Sequence, residues 1–134
     1  PIGSLHPNIA PYGEIFITKD QKKIVLAIGN NKQFQNLCET LNIKDIILNP
    51  KFKTNTERVT NRKELFEILQ NATSKKDSQV LIDEFLRKDV PAGIIKSVKE
   101  VFETNDLTPL IIKDLDSDNR EGRRVRTSIF NILE

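Results

Sequence analysis

Two short β-branched runs, Glu14–Thr18 (EIFIT) and Lys23–Ile28 (KIVLAI), stand ahead of a succession of apolar stripes at helical spacing, and two further strand-like runs close the chain. That order constrains the fold more than any single motif. Lys19, Asp20, Gln21 and Lys22 form a polar connection between the first two runs, as a hairpin requires. Gly29, Asn30 and Asn31 then break the second strand. Phe34, Leu37, Cys38 and Leu41 recur at i, i+3, i+4 and i+7, which predicts a one-faced helix over 31–41.

The apolar run after Asn42 ends at Pro50, which suggests a single helical turn closed by proline. Thr54 with Glu57 fits a capping box, and the chain can continue helically to about Asn71, re-nucleated at Asn61, with Leu65, Phe66, Leu69 and Ala72 toward a core. A second box, Ser74 with Asp77, predicts a helix whose stripe is Leu81, Ile82, Phe85 and Leu86 and which stops before Val90-Pro91-Ala92-Gly93. Ser97 with Glu100 marks a third start, with Ile94, Val98, Val101 and Phe102 at helical spacing up to Asn105. Leu110–Lys113 and Arg124–Ile132 read as two strands joined by the turn-rich stretch from Asp114 to Gly122.

A sheet with one apolar face needs helices to cover it, so the pattern predicts an α+β, two-layer small domain: short antiparallel strands at both ends of the chain and a central run of helices. The proline-rich stretch up to Pro11 reads as an extended lead-in over 1–11, with order from Tyr12 and the domain over 12–134. The absence of βα alternation argues against a parallel nucleotide-binding sheet.

Composition removes several function classes. One cysteine and one histidine leave no internal disulfide and no His/Cys metal cluster, which fits a reducing, cytoplasmic setting. No apolar run approaches the roughly 20 residues of a bilayer span, and the N-terminus lacks a signal-peptide pattern. Asp114, Asp116 and Asp118 begin like a calcium loop, but Asn119 stands where that loop needs glycine and Val125 where it needs glutamate, so a solvated turn is the better reading. Cys38 falls on the apolar stripe, where a free thiol packs as a small hydrophobe. His6 has no nucleophile in a triad-like context beside it and reads as a loop residue.

Two basic clusters, 51–63 and 120–126, supply local positive potential. A net charge of +2, 6% aromatic residues and phenylalanines committed to helix stripes weigh against nucleic-acid binding. No Walker, G-x-G-x-x-G, G-x-S-x-G or H-E-x-x-H motif occurs.

Four strings carry more information than their periods: HPNIAPYG (6–13), IVLAIGNNKQFQNLCETL (24–41), NPKFKTNTERVTNRKEL (49–65) and VPAGIIKSVKEVF (90–102). In order and spacing they resemble the C-terminal part of family III CoA-transferases, the group with carnitine and formyl-CoA transferases and α-methylacyl-CoA racemases. The resemblance implies the small domain of a longer enzyme, with 1–11 leading in from a large Rossmann-like domain outside this chain. That large domain carries an aspartate whose carboxylate attacks a CoA thioester to form a mixed anhydride. It implies no catalytic residue here, a chain inactive by itself, no permanently bound cofactor and no metal. The partners it implies are a CoA thioester and a carboxylic acid, with homodimers of the whole enzyme, and neither nucleic acid nor membrane.

The stretch that would line the substrate pocket is His6, Pro7, Asn8, Ile9, Ala10, Tyr12 and Gly13. Here HPNIA stands in place of the glycine-rich loop of formyl-CoA transferase, and lid closure remains compatible with it. Lys51 and Lys53 are the candidates for CoA phosphates. Asn55, Arg58, Asn61 and Arg62 suit hydrogen bonding that fixes successive helix starts, the alternative being phosphate contact. Gly93 suits a close backbone approach and Pro91 a bend, with Ile94 where the family usually has proline. The alternatives left open are an α-methylacyl-CoA racemase domain and a non-enzymatic interaction or nucleic-acid module.

Overall fold

The computed structural model describes residues 5–103, 111–115 and 121–125. The chain divides into two compact units, 1–95 and 96–134.

In the first unit, β1 (Tyr12–Ile17), β2 (Lys23–Ala27) and β3 (Ala92–Ile95) form an antiparallel sheet in the order β1-β2-β3. β1 and β2 are the expected hairpin. Between Tyr12 and Glu14 the register shifts by a bulge, and Gly13 takes the positive φ of 74° that this irregularity demands. Strand β3 is a correction, because Ile94 and its neighbours belong to a strand rather than to the helix that follows. β2 needs partners on its second edge, and Ala92 to Ile95 pair with Leu26 to Lys23 while Ala92 and Ile94 pack on the core. Gly93 makes no close approach, since a Cβ added there would meet nothing within 4 Å.

Helix α1 (Asn31–Thr40) starts at Asn30, whose side chain accepts from Gln33 N at 2.9 Å, and it buries Phe34, Leu37 and Cys38. Two 3-10 turns follow, Lys44–Ile47 and Pro50–Phe52, in place of the single turn expected. Pro50 opens the second turn rather than closing the first, because its fixed φ suits a first helical position and Asn49 caps the backbone at Lys51 N. Both bonds of the Thr54/Glu57 capping box form, at 2.9 and 3.3 Å, and start α2 (Asn55–Thr60). The helix breaks at Asn61 and resumes as α3 (Arg62–Thr73), as the pattern suggested. Leu65, Leu69 and Ala72 enter the core; Phe66 is 36% exposed and stacks on Phe16 at 5.0 Å.

The Ser74/Asp77 box does not form. Ser74 instead ends α3 and donates to Asn71 O, and α4 (Ser78–Arg87) is capped from a distance. Asp20, in the β1–β2 turn, accepts from Ser78 N at 2.9 Å and Ser78 Oγ at 2.7 Å, and also from Thr18 Oγ1 at 2.6 Å. These bonds hold its carboxyl down at about 2, and they replace the local cap by a tertiary one. Gln70 adds a second link by bonding both Ile17 N and Ile17 O, at 2.9 and 2.8 Å. Leu81 and Phe85 are buried, but Leu86 is 81% exposed, so the α4 stripe is narrower than its sequence suggests.

In the second unit, the Ser97/Glu100 box forms, at 2.7 and 3.2 Å, and begins α5 (Val98–Glu103). β4 (Ile111–Leu115) pairs antiparallel with β5 (Glu121–Val125). The closing hairpin is therefore tighter than expected, since residue-for-residue pairing with β4 moves the second strand to 121–125. The remainder of its expected span, 126–132, together with Asp116 and Asp118, lies outside the described residues.

Replacing Asp20 with Ala removes the cap of α4 and a hydroxyl contact of the hairpin together. The variant is expected to melt below wild type at pH 7 by differential scanning calorimetry.

Candidate functional site

Residues 6–11, expected as an extended lead-in, form a compact loop of turns tied to the helices. His6 N donates to Tyr12 O at 2.9 Å, and Pro11 O accepts from Ile28 N at 3.0 Å, so both ends of the loop are fastened to the sheet. Its inner carbonyls point away from any strand partner and need other donors. Side chains of α2 and α3 provide them. Asn55 bonds twice, accepting from Ala10 N at 3.1 Å and donating to Asn8 O at 2.8 Å. Arg58 Nε donates to Ala10 O at 2.9 Å, while Arg62 Nη2 donates to His6 O at 2.6 Å and to Ile9 O.

Arg58 is only 1% exposed. Besides the loop it bonds Phe52 O at 3.1 Å and Asn31 Oδ1 at 2.9 Å, and its guanidinium lies 4.4 Å from the Phe34 ring centroid. A planar fork that reaches three acceptors in different directions is something lysine could not reproduce. Burial lowers the Arg58 pKa from its ordinary value. The same burial pushes the neighbouring Cys38 thiol up to about 12, so Cys38 is a core residue and not a nucleophile.

Arg62 faces Glu14 on β1. Its Nε lies 2.9 Å from Glu14 Oε1, and the Glu14 side chain is 1% exposed. The atoms touch as charges without an aligned hydrogen bond. Burial raises the Glu14 carboxyl to about 6, and the Arg62 charge opposes that rise without cancelling it.

Of the residues assigned to the pocket, Pro7 and Asn8 are exposed and Tyr12 is 37% exposed; His6, Ile9 and Gly13 are half-buried. His6 packs edge-on against Tyr12 with centroids 5.6 Å apart, and its Nδ1 accepts from Asn8 N at 3.2 Å. Ala10 is fully buried, so it supports the loop and does not offer its side chain to a ligand. Lys51 is engaged with Glu64 at 2.7 Å, and Lys53 is exposed. Asn61 donates to Glu57 O and Lys51 O. Asn55, Arg58 and Arg62 thus bond backbone, as the structural reading of their motif required, but they hold the entry loop more than the helix starts.

Sequence reasoning missed Glu14. The available signal was its place on one face with Phe16 and Thr18, where strand alternation turns all three inward. Among the described residues no group of three or more His, Cys, Asp or Glu could hold a metal, and no helix is long and apolar enough to cross a membrane.

The model of CoA-transferase family III matches residues 1–128, and the chain belongs to that family. It is 41% identical over 100 residues to a human succinyl-CoA:glutarate CoA-transferase, covering 75% of this chain and 22% of that protein. An Acetobacter aceti acetyl-CoA:oxalate CoA-transferase is 31% identical over 99 residues, covering 74% of this chain and 25% of its own length. The chain thus spans about a quarter of the length of these relatives. A crystal structure of a CAIB/BAIF family protein from Brucella suis superposes with a TM-score of 0.76 at 28% identity, covering 98% of this chain and 40% of that one.

Arg58→Met keeps an apolar stem but strands the carbonyls of Ala10 and Phe52. A loss of about 2–6 kcal/mol in urea unfolding is expected, from two carbonyls left unsatisfied. For Glu14 the sign is opposite to that of an ordinary ion-paired carboxylate. Its folded value of about 6 lies above the ordinary value of 4.5, so the native state takes up the proton first. The stability it contributes is present below 4.5 and is lost as pH rises through 6. Unfolding free energy measured against Glu14→Gln should fall by about 2 kcal/mol between pH 4.5 and 7.5.

Proposed function

We propose that this chain is the small domain of a CoA-transferase that moves CoA between a CoA thioester and a carboxylic acid. The observation that carries the reading is the family match over residues 1–128, joined to relatives that are themselves CoA-transferases. In this reading an aspartate of a large domain outside this chain attacks the thioester carbonyl. The carbon–sulfur bond breaks, CoA leaves as its thiolate, and a mixed anhydride of the aspartate and the donor acyl group forms. The acceptor carboxylate then attacks the aspartyl carbonyl and displaces the donor acid. The CoA thiolate attacks the acceptor carbonyl of the new anhydride, which releases the acceptor's CoA thioester and the free aspartate. The large domain supplies that nucleophile, and the chain alone does not turn over.

The small domain contributes a preorganised wall. His6, Pro7, Asn8, Ile9, Tyr12 and Gly13 line the acyl end of the site, and Ala10 holds the loop beneath them. Backbone groups already bonded to Asn55, Arg58 and Arg62 need no reordering when substrate arrives, which favours reaction geometry. Lys53 is the freer of the two phosphate candidates, since Lys51 must leave Glu64 to serve. The whole enzyme is a cytoplasmic homodimer that binds no permanent cofactor. The names of two relatives point to dicarboxylic acyl groups as the first substrates to test.

The test uses the full-length protein with succinyl-CoA and carbon-13 glutarate, read by mass spectrometry. Labelled glutaryl-CoA is expected, and none from the 134-residue chain by itself. Exchange of the α-hydrogen of a 2-methylacyl-CoA into deuterated water without CoA transfer would instead establish a racemase.

A further inference from the structure

We propose that Arg62 is a positioning residue: its guanidinium, held by the Glu14 carboxylate, sets the shape of the loop from His6 to Ala10 and, through it, the His6 ring. Three observations meet here. Arg62 reaches Glu14 on β1 with Nε and the carbonyls of His6 and Ile9 with Nη2, so one planar group joins α3, the sheet and two points of the loop. The carboxylate is buried and the arginine side chain is only 18% exposed, so neither charge has water as a ready substitute. Within the loop so fixed, Asn8 N–H donates to His6 Nδ1, which in the neutral ring places the proton on Nε2. The ring is thereby left with one donor of defined direction.

Among the described residues, Glu14 is acted on by the charge of Arg62. From α3 it faces Arg62; from α2, Arg58 holds the next stretch of loop at Ala10 O; across the hairpin its partner is the uncharged Leu26; and His6 is the titratable group of the loop itself. Protonating Glu14 leaves Arg62 without its counter-charge and frees it to move toward solvent. Acid therefore has two opposed effects, since it relieves the buried carboxylate, which stabilises the fold, and it loosens the loop. A purely structural ion pair would move both together.

The inference rests on the function proposed above only in assigning the loop to the acyl end of a CoA thioester. Its test is amide hydrogen exchange of the 134-residue chain by NMR, expressed as protection factors, with Leu26 in β2 as reference. Arg62→Lys keeps the charge but cannot span Glu14 and two carbonyls. It is expected to lower the protection of His6 and Ala10 about tenfold and to convert the His6 nitrogen shifts from one tautomer to a mixture, with Leu26 unchanged. Wild type should lose loop protection between pH 7.5 and 5, whereas Glu14→Gln should show low loop protection throughout that range.

Unchanged His6 and Ala10 protection in Arg62→Lys, or a pH response in wild type that Glu14→Gln retains, overturns the proposal. In the full-length enzyme, Arg62→Lys should raise KM for succinyl-CoA more than it lowers kcat. Lost protection with an unaltered KM keeps the positioning role and removes the loop from the acyl site. A raised KM with protection intact overturns the positioning role.

Discussion

A guanidinium buried where a loop needs donors is the interaction on which the first unit depends. Arg58 is almost fully enclosed, and each of its three bonded acceptors belongs to a different segment: Ala10 in the entry loop, Phe52 in the second 3-10 turn and Asn31 at the start of α1. Removing the charge would strand the carbonyls of Ala10 and Phe52 and free the side chain of Asn31 at the start of α1. Leaving the charge without those acceptors would be worse, because the neighbouring Glu57 charge and the Phe34 ring face do not replace three directed hydrogen bonds to a desolvated cation. The loop and the arginine therefore require each other, and α2 is placed to suit them.

The hairpin and the helical layer are joined by the same device. Asp20 and Gln70 are polar side chains that satisfy backbone groups on another element, capping α4 from the β1–β2 turn and closing the end of β1 from α3. Each such link fixes direction as well as distance, which apolar packing between a sheet and a helix does not. The core supplies the driving force through Phe16, Leu26, Leu37, Leu65 and Leu81, and the polar links select one arrangement of the elements around it.

Elements whose signals are local were legible in the sequence. Strands β1 and β2, helix α1 and the Thr54/Glu57 box depend on residues within one turn or one hairpin, and the structure has them as the spacing implied. What escaped was non-local. Ile94 keeps helical spacing with Val98, yet β2 has an open edge and takes Ala92–Ile95 as a strand. Ser74 and Asp77 spell a capping box, yet Asp20, 58 residues before Ser78, occupies the cap. In the site, the motif around Arg58 and Arg62 was visible as a hydrogen-bonding set. Glu14 was not, because a lone carboxylate in a strand gives no sign of the arginine that will face it until the loop and α3 are assembled.

An entry loop held by its backbone has a consequence for how specificity can vary. Asn55, Arg58 and Arg62 touch main-chain atoms of His6, Asn8, Ile9 and Ala10, so the side chains of Pro7, Asn8 and Tyr12 are exposed on a frame that does not depend on their identity. Changing one of them alters the exposed surface of the loop without removing the bonds that hold it. A glycine-rich loop achieves close approach by having no side chains and gives up this stiffness through its conformational entropy. On the acyl-CoA reading, HPNIA exchanges freedom of motion for a fixed, decorated wall. Discrimination between acids then lies in which side chains the wall carries, while the arginines keep its shape.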